Sequence, residues 1–219
     1  MSVAVKVCGL DSAEAVSAAV AGGARFVGFV FYPPSPRNLT PDQAAALIAG
    51  VAPGIIRVGV FVDPEDALLE TVLARAPLDL LQFHGSETPD RLATVKRRFG
   101  RKVMKAIKVA AEIDLQGARD FFSVADWLMF DAKPPKDAHA ALPGGNALAF
   151  DWELLRRKSW PLPWMLSGGL NLDNMAEAAA ISRAETLDVS SGVERRFGEK
   201  DPAKIRAFLA RARAIRPSV

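Results

Sequence analysis

The chain has a single cysteine, Cys8, so it can form no internal disulfide. That fits a reducing compartment, and a cytoplasmic location is expected. There are only two histidines, His84 and His139. With no zinc-like Cys/His spacing beside them, a multi-histidine metal site is not expected. No apolar run approaches the ~18 residues of a membrane helix. The N-terminus enters an apolar strand at once, with no basic lead into a long apolar stretch, so neither a signal peptide nor membrane association is expected. The GxGxxG and GxxxxGK[ST] fingerprints are both missing, and with them the usual mononucleotide sites. Neither sign of charge dominates: 28 Lys and Arg face 25 Asp and Glu, a formal net charge of +3. Some of the basic excess (Arg206, Arg211, Arg213, Arg216) falls on a C-terminal helix and reads as a solvated face. Without interleaved aromatics it does not point to nucleic acid. No nucleophilic triad is visible.

The remainder is an ordinary soluble composition, 50% apolar and 24% charged over 219 residues. Apolar strands are predicted at 3–7, 25–31, 55–62, 78–83, 102–107, 127–130, 163–166 and 186–189. Each is followed by a helical segment. Several of these helices carry start signals: Asp11 or Ser12, Thr40 before Pro41, Asp63, Thr88 before Pro89, and Asp201 before Pro202. Apolar strands alternating with helices argue a parallel sheet buried on both faces. Eight such units fit a single-domain (β/α)8 TIM barrel over residues 1–219, with a doubly wound open sheet as the competitor. No linker, domain boundary or internal repeat is visible.

In a barrel, functional side chains sit at the C-terminal ends of strands. Those ends read Cys8, Phe31, Asp63, His84, Lys108, Asp131, Ser167 and Ser190. Alternation places Lys6 and Cys8 on one face of the first strand, and a neighbouring cation favours a thiolate. By itself a lone cysteine is more often a small buried hydrophobe. Asp131 ends the sixth strand far ahead of the next helix, so it does not read as a cap. Strands one and six lie well apart around an eight-membered ring, so Cys8 and Asp131 can face each other across the mouth, an acid/base pair suited to proton-transfer isomerisation. Gly168-Gly169 and Ser191-Gly192 follow strands seven and eight, where this fold holds phosphate, and glycines let backbone N–H groups approach an anion. Arg37 follows prolines that stiffen its loop and aim it at a carboxylate. Gln82 and His84 share a face of the fourth strand.

These residues lie in motifs that together resemble one family. They are Lys6-Val7-Cys8-Gly9, Gly28-Phe29-Val30-Phe31 leading to Ser35-Pro36-Arg37, Leu81-Gln82-Phe83-His84-Gly85, Phe130-Asp131, Pro143-Gly144-Gly145, Ser167-Gly168-Gly169-Leu170 and Asp188-Val189-Ser190-Ser191-Gly192-Val193-Glu194. In this order the chain resembles the phosphoribosylanthranilate isomerases of tryptophan biosynthesis over nearly its whole length. The resemblance implies a cofactor-free Amadori rearrangement of a phosphosugar. It implies Asp131 as general acid and Cys8 as general base. Gly145, Gly168, Gly169, Ser191 and Gly192 would hold the phosphate, and Arg37 would address the anthranilate, with Lys6, Gln82 and His84 also near the substrate. It leaves monomer and homodimer open. The chain departs from the family pattern at Ala147, where a glycine is frequent, and after Gly-Gly-Leu, where a proline is common. Ala147 does not take positive φ as freely as glycine, so the loop after strand six is expected to close differently. Other phosphosugar enzymes fit less well: a related isomerase uses paired aspartates, and an epimerase needs a metal-binding His/Asp set. A barrel that binds a phosphate ligand without catalysis would lack the acid or the base.

Overall fold

The computed structural model describes residues 2–134, 144–145, 148–156 and 158–216. Eight strands close into a barrel: β1 (Ala4–Cys8), β2 (Phe26–Phe31), β3 (Ile56–Phe61), β4 (Leu80–Phe83), β5 (Lys102–Val109), β6 (Trp127–Ala132), β7 (Trp164–Leu166) and β8 (Thr186–Val189). Every neighbouring pair is parallel, and β8 closes on β1 with Lys6 opposite Asp188. The helices are α1 (Ala13–Ala21), α2 (Pro41–Ile48), α3 (Asp66–Arg75), α4 (Pro89–Phe99), α5 (Glu153–Arg156), α6 (Met175–Ser182) and α7 (Pro202–Ala214). After β5 the helical element is a 3-10 segment, Glu112–Phe121.

Most helix starts follow the sequence signals. Ser12, Thr40, Thr88 and Asp201 each accept a hydrogen bond from a first-turn backbone N–H, and a proline follows the last three. α4 ends on Gly100 at φ 61°, the left-handed cap that glycine takes without a Cβ penalty. Asp63 does not cap α3, contrary to the sequence reading. The helix begins after Glu65, and Asp63 sits at φ 44° with its carboxylate accepting from the backbone N–H and hydroxyl of Ser86. The adjacent Glu87 accepts from the N–H groups of Asp63 and Gly85 and pairs with the buried Lys105 at 2.6 Å. Together these bonds fix the loops after β3 and β4.

A hairpin that the sequence pattern did not signal, β9 (Glu194–Arg196) with β10 (Glu199–Lys200), follows β8. His139, Pro143, Asn146 and Ala147 lie outside the described residues, and with them the expectation for closure of the loop after β6. Among the described residues, no helix is long and apolar enough to cross a membrane.

Two apolar layers hold the barrel. One lies between strands and helices. The other fills the barrel floor with Phe26, Val58, Leu80, Met104, Met129 and Met165. Towards the C-terminal mouth the inward positions turn polar. Lys6 and Gln82 sit above the floor at 0% and 1% exposure, with Asp188 beside Lys6. A barrel interior that stops being apolar at one end has its site there.

Candidate active site

The C-terminal mouth opens into a cavity lined by strand ends and by the loops that follow them. Of the eight strand ends read from sequence, Cys8, His84, Asp131, Ser167 and Ser190 line it. Phe31, Asp63 and Lys108 do not. For β2 the reason is parity: Val30 and Tyr32 point inward, so Phe31 points to the helices and stacks on Phe61. Val30, Tyr32, Val60 and Val62 form an apolar wall beside Arg37. Gly168, Gly169, Ser190 and Ser191 form a polar wall after β7 and β8, and Gly145 also lines the cavity. Gly168 and Gly169 adopt φ 95° and 62°, and a Cβ on either would run into backbone of Ala132 or Leu148. These two positions therefore require glycine.

Two of the residues expected at the substrate are not on the cavity wall. Gly192 packs against the preceding loop, where a Cβ would fall 1.9 Å from the Leu170 carbonyl oxygen. Lys6 is fully buried below the cavity and donates to Asp188 Oδ1 at 2.8 Å. Asp188 Oδ2 in turn accepts from the Ser167 hydroxyl at 3.0 Å. Burial alone would push the Lys6 pKa down, but Asp188 and Cys8 more than offset this and the ammonium is held charged. Burial pushes the Cys8 thiol above its ordinary value. Lys6 pulls the other way, as the sequence suggested, but Asp188 opposes it and the net direction is up.

Cys8 and Asp131 line the same cavity, from β1 and β6, which are separated by β7 and β8 on one side of the ring and by four strands on the other. Asp131 Oδ2 lies 3.0 Å from His84 Nε2, and His84 Nδ1 lies 3.0 Å from the Gln82 amide nitrogen. With the Gln82 amide donating to Nδ1, the imidazole proton sits on Nε2 and is directed at Asp131.

Arg37 does meet a carboxylate. It is Glu194, reached by Nε at 2.7 Å and Nη2 at 3.0 Å in a two-pronged pair with both groups buried. Glu194 also pairs with Lys200 at 2.6 Å, and Lys200 donates to the Ser190 carbonyl and hydroxyl. Burial acts to raise the Glu194 pKa, yet Arg37 and Lys200 hold it below the usual glutamate range. The guanidinium also lies 5.1 Å from the ring centre of Phe197 at the hairpin tip. The pair takes the Nε–Nη2 edge of the guanidinium, Nη2 also donates to the Gly145 carbonyl at 3.4 Å, and Arg37 stays on the cavity wall. Asp188, Glu194 and Lys200 were not singled out as site residues in the sequence. Register offers the signal for Asp188, an acid in a four-residue buried strand paired with a strand that carries Lys6. Among the described residues, no group of three metal-ligating side chains is placed to hold an ion.

The family model described as N-(5'phosphoribosyl)anthranilate (PRA) isomerase matches residues 5–211. The chain belongs to this family. It is 56% identical to the N-(5'-phosphoribosyl)anthranilate isomerase of Paracoccus denitrificans, over 98% of this chain and 99% of that one. Among solved structures it is similar to the phosphoribosyl anthranilate isomerase of Thermotoga maritima, with TM-score 0.84 and 34% identity over 97% and 99% of the two chains. It is also similar to a phosphoribosyl anthranilate isomerase in complex with reduced 1-(o-carboxyphenylamino)-1-deoxyribulose 5-phosphate, with TM-score 0.81 and 32% identity over 97% and 99%. The closed eight-stranded barrel is the fold of these isomerases. The activity is the rearrangement of N-(5'-phosphoribosyl)anthranilate in tryptophan biosynthesis.

Proposed function

We propose that this chain rearranges N-(5'-phosphoribosyl)anthranilate with Asp131 as the acid and Cys8 as the base. The observation that carries the assignment is that both groups line one cavity from non-adjacent strands, together with an apolar wall and a glycine-serine wall. Gly168, Gly169, Ser191 and Gly145 take the phosphate, which the neighbouring glycines allow to approach backbone N–H groups. The anthranilate ring lies against Val30, Tyr32 and Val60, its carboxylate towards the edge of Arg37 that Glu194 leaves open.

Asp131 donates its proton to the ribose ring oxygen. The ring opens, and a protonated Schiff base forms between the anthranilate nitrogen and C1'. The Cys8 thiolate removes the C2' proton, whose electron pair flows towards nitrogen and gives an enolamine. Loss of the 2'-hydroxyl proton and protonation at C1' give the ketone. The proton lost by Asp131 and the one gained by Cys8 balance over the cycle, so no oxidant, metal or cofactor enters. His84 orients the Asp131 carboxyl. When Asp131 carries its proton, its O–H donates to Nε2, Nδ1 holds the imidazole proton, and the Gln82 amide turns to accept it.

The test is turnover followed by the fluorescence of the substrate, with no added metal and with chelator present. Cys8→Ala and Asp131→Asn are each expected to lower kcat by about 10²–10⁴-fold, the range for one positioned acid or base. Unchanged kcat in either variant would remove its assigned role.

A further inference from the structure

Lys6 has no contact with the cavity, yet it lies beside the proposed base. A side chain begun at Gly28 would lie 3.1 Å from Cys8 Sγ and 3.2 Å from Lys6 Nζ, so thiol and ammonium share the small space that this glycine leaves. The other neighbour of that ammonium is Asp188, at 2.8 Å, with its pair partner across the β1–β8 register. Both side chains are buried, at 0% and 6% exposure. Asp188 is further held by the Ser167 hydroxyl, at the start of the glycine loop after β7.

We propose that Asp188 is a positioning residue for the base: it pins Lys6 against Cys8 and cancels the lysine charge, so that Cys8 retains its proton in the empty site and acts as a strong base once ionised. This rests on the reading of Cys8 as the base. The argument is a count of charges. With Asp188 and Lys6 both ionised, a neutral Cys8 leaves the buried group of three uncharged, and a thiolate leaves it at −1. Without Asp188, the thiolate and Lys6 form a neutral pair, and ionisation becomes easier. The remaining charged groups around Cys8 differ in reach. Lys200 comes from the hairpin and Arg37 from the loop after β2, and both are committed to Glu194. Asp131 and His84 stand across the cavity. β2 itself presents Gly28 and Val30, neither charged. A more basic thiolate takes a proton from carbon more readily, so the arrangement exchanges thiolate population for base strength.

The experiment compares wild type with Asp188→Asn by two readouts. The first is the midpoint of Cys8 alkylation by iodoacetamide against pH. It is expected to fall by about one unit, hence about tenfold faster alkylation near pH 7. The second is kcat at the alkaline plateau, which is expected to fall several-fold as the thiolate weakens. Simple damage to the site would lower the plateau and leave the midpoint in place, and that result would overturn the proposal. So would a midpoint that rises. If Asp188→Asn does not fold because Lys6 is left buried without its counter-charge, the same comparison is made between Lys6→Met and Lys6→Met/Asp188→Asn. The midpoint is again expected to fall, and an unmoved midpoint again overturns the proposal. Cys8→Ala separates the two claims. Full turnover in that variant sinks the reading of the base, whereas an inactive Cys8→Ala with an unmoved Asp188→Asn midpoint sinks only the role of Asp188.

Discussion

A thiol that must take a proton from carbon is useful only as its thiolate. Burial holds the Cys8 thiol above its ordinary value, and Asp188 adds to that while Lys6 opposes it. The thiolate fraction of the free enzyme therefore still rises with pH where an unperturbed cysteine, at about 8.5, would be half ionised. Accordingly, kcat/KM is expected to climb from pH 6 through pH 8.5 without levelling, since it reports groups of the free enzyme. A plateau reached by pH 7 would assign that limb to another group. His84→Ala removes the partner that holds Asp131 at 3.0 Å. It is expected to lower kcat more than it raises KM, because it disturbs the acid and leaves the apolar and phosphate walls intact. Measured Michaelis profiles of the variant decide this.

At the level of elements, the β9–β10 hairpin matters most. Glu194 joins Arg37, in the loop after β2, to Lys200 on the hairpin, and all three are buried. Glu194→Ala leaves two buried cations without their anion and is expected to cost about 3–5 kcal/mol in urea unfolding. Glu194→Gln carries a pH signature. The folded carboxylate is depressed, so the stability it contributes is present above the unfolded value of about 4.3 and is lost as pH falls through the lower folded value. The gap between wild type and Glu194→Gln should therefore close in acid. A gap that widens below pH 4 would contradict the ion pair. This network also depends on contacts that local sequence patterns do not encode. Apolar runs and helix caps located all eight strands, because local alternation and N-terminal hydrogen bonds are properties of neighbouring residues. Cys8, Asp131 and His84 were placed at the mouth by the same alternation. Glu194 and Asp188 carry no local signal because their partners lie 157 and 182 residues away and meet them only when the ring closes, and Lys200 reaches Glu194 across a hairpin that no turn pattern announces. Asp63 misled for the same reason, since its oxygen is taken by Ser86, a residue of the next loop.

For the whole molecule, the chain carries one thiol in 219 residues, and the fold places it on the cavity wall. Mild alkylation is expected to add one label per chain by mass spectrometry and to remove turnover in the same proportion. A fully labelled, fully active enzyme would place the base elsewhere. The same feature bears on oxidative damage. Peroxide attacks thiolates, so a cysteine kept protonated in the empty site is a slow target. Once converted to a sulfenic acid, however, Cys8 has no second cysteine in the chain with which to form a protective disulfide. Rescue then depends on a small thiol small enough to enter the cavity, and oxidation beyond that stage is permanent.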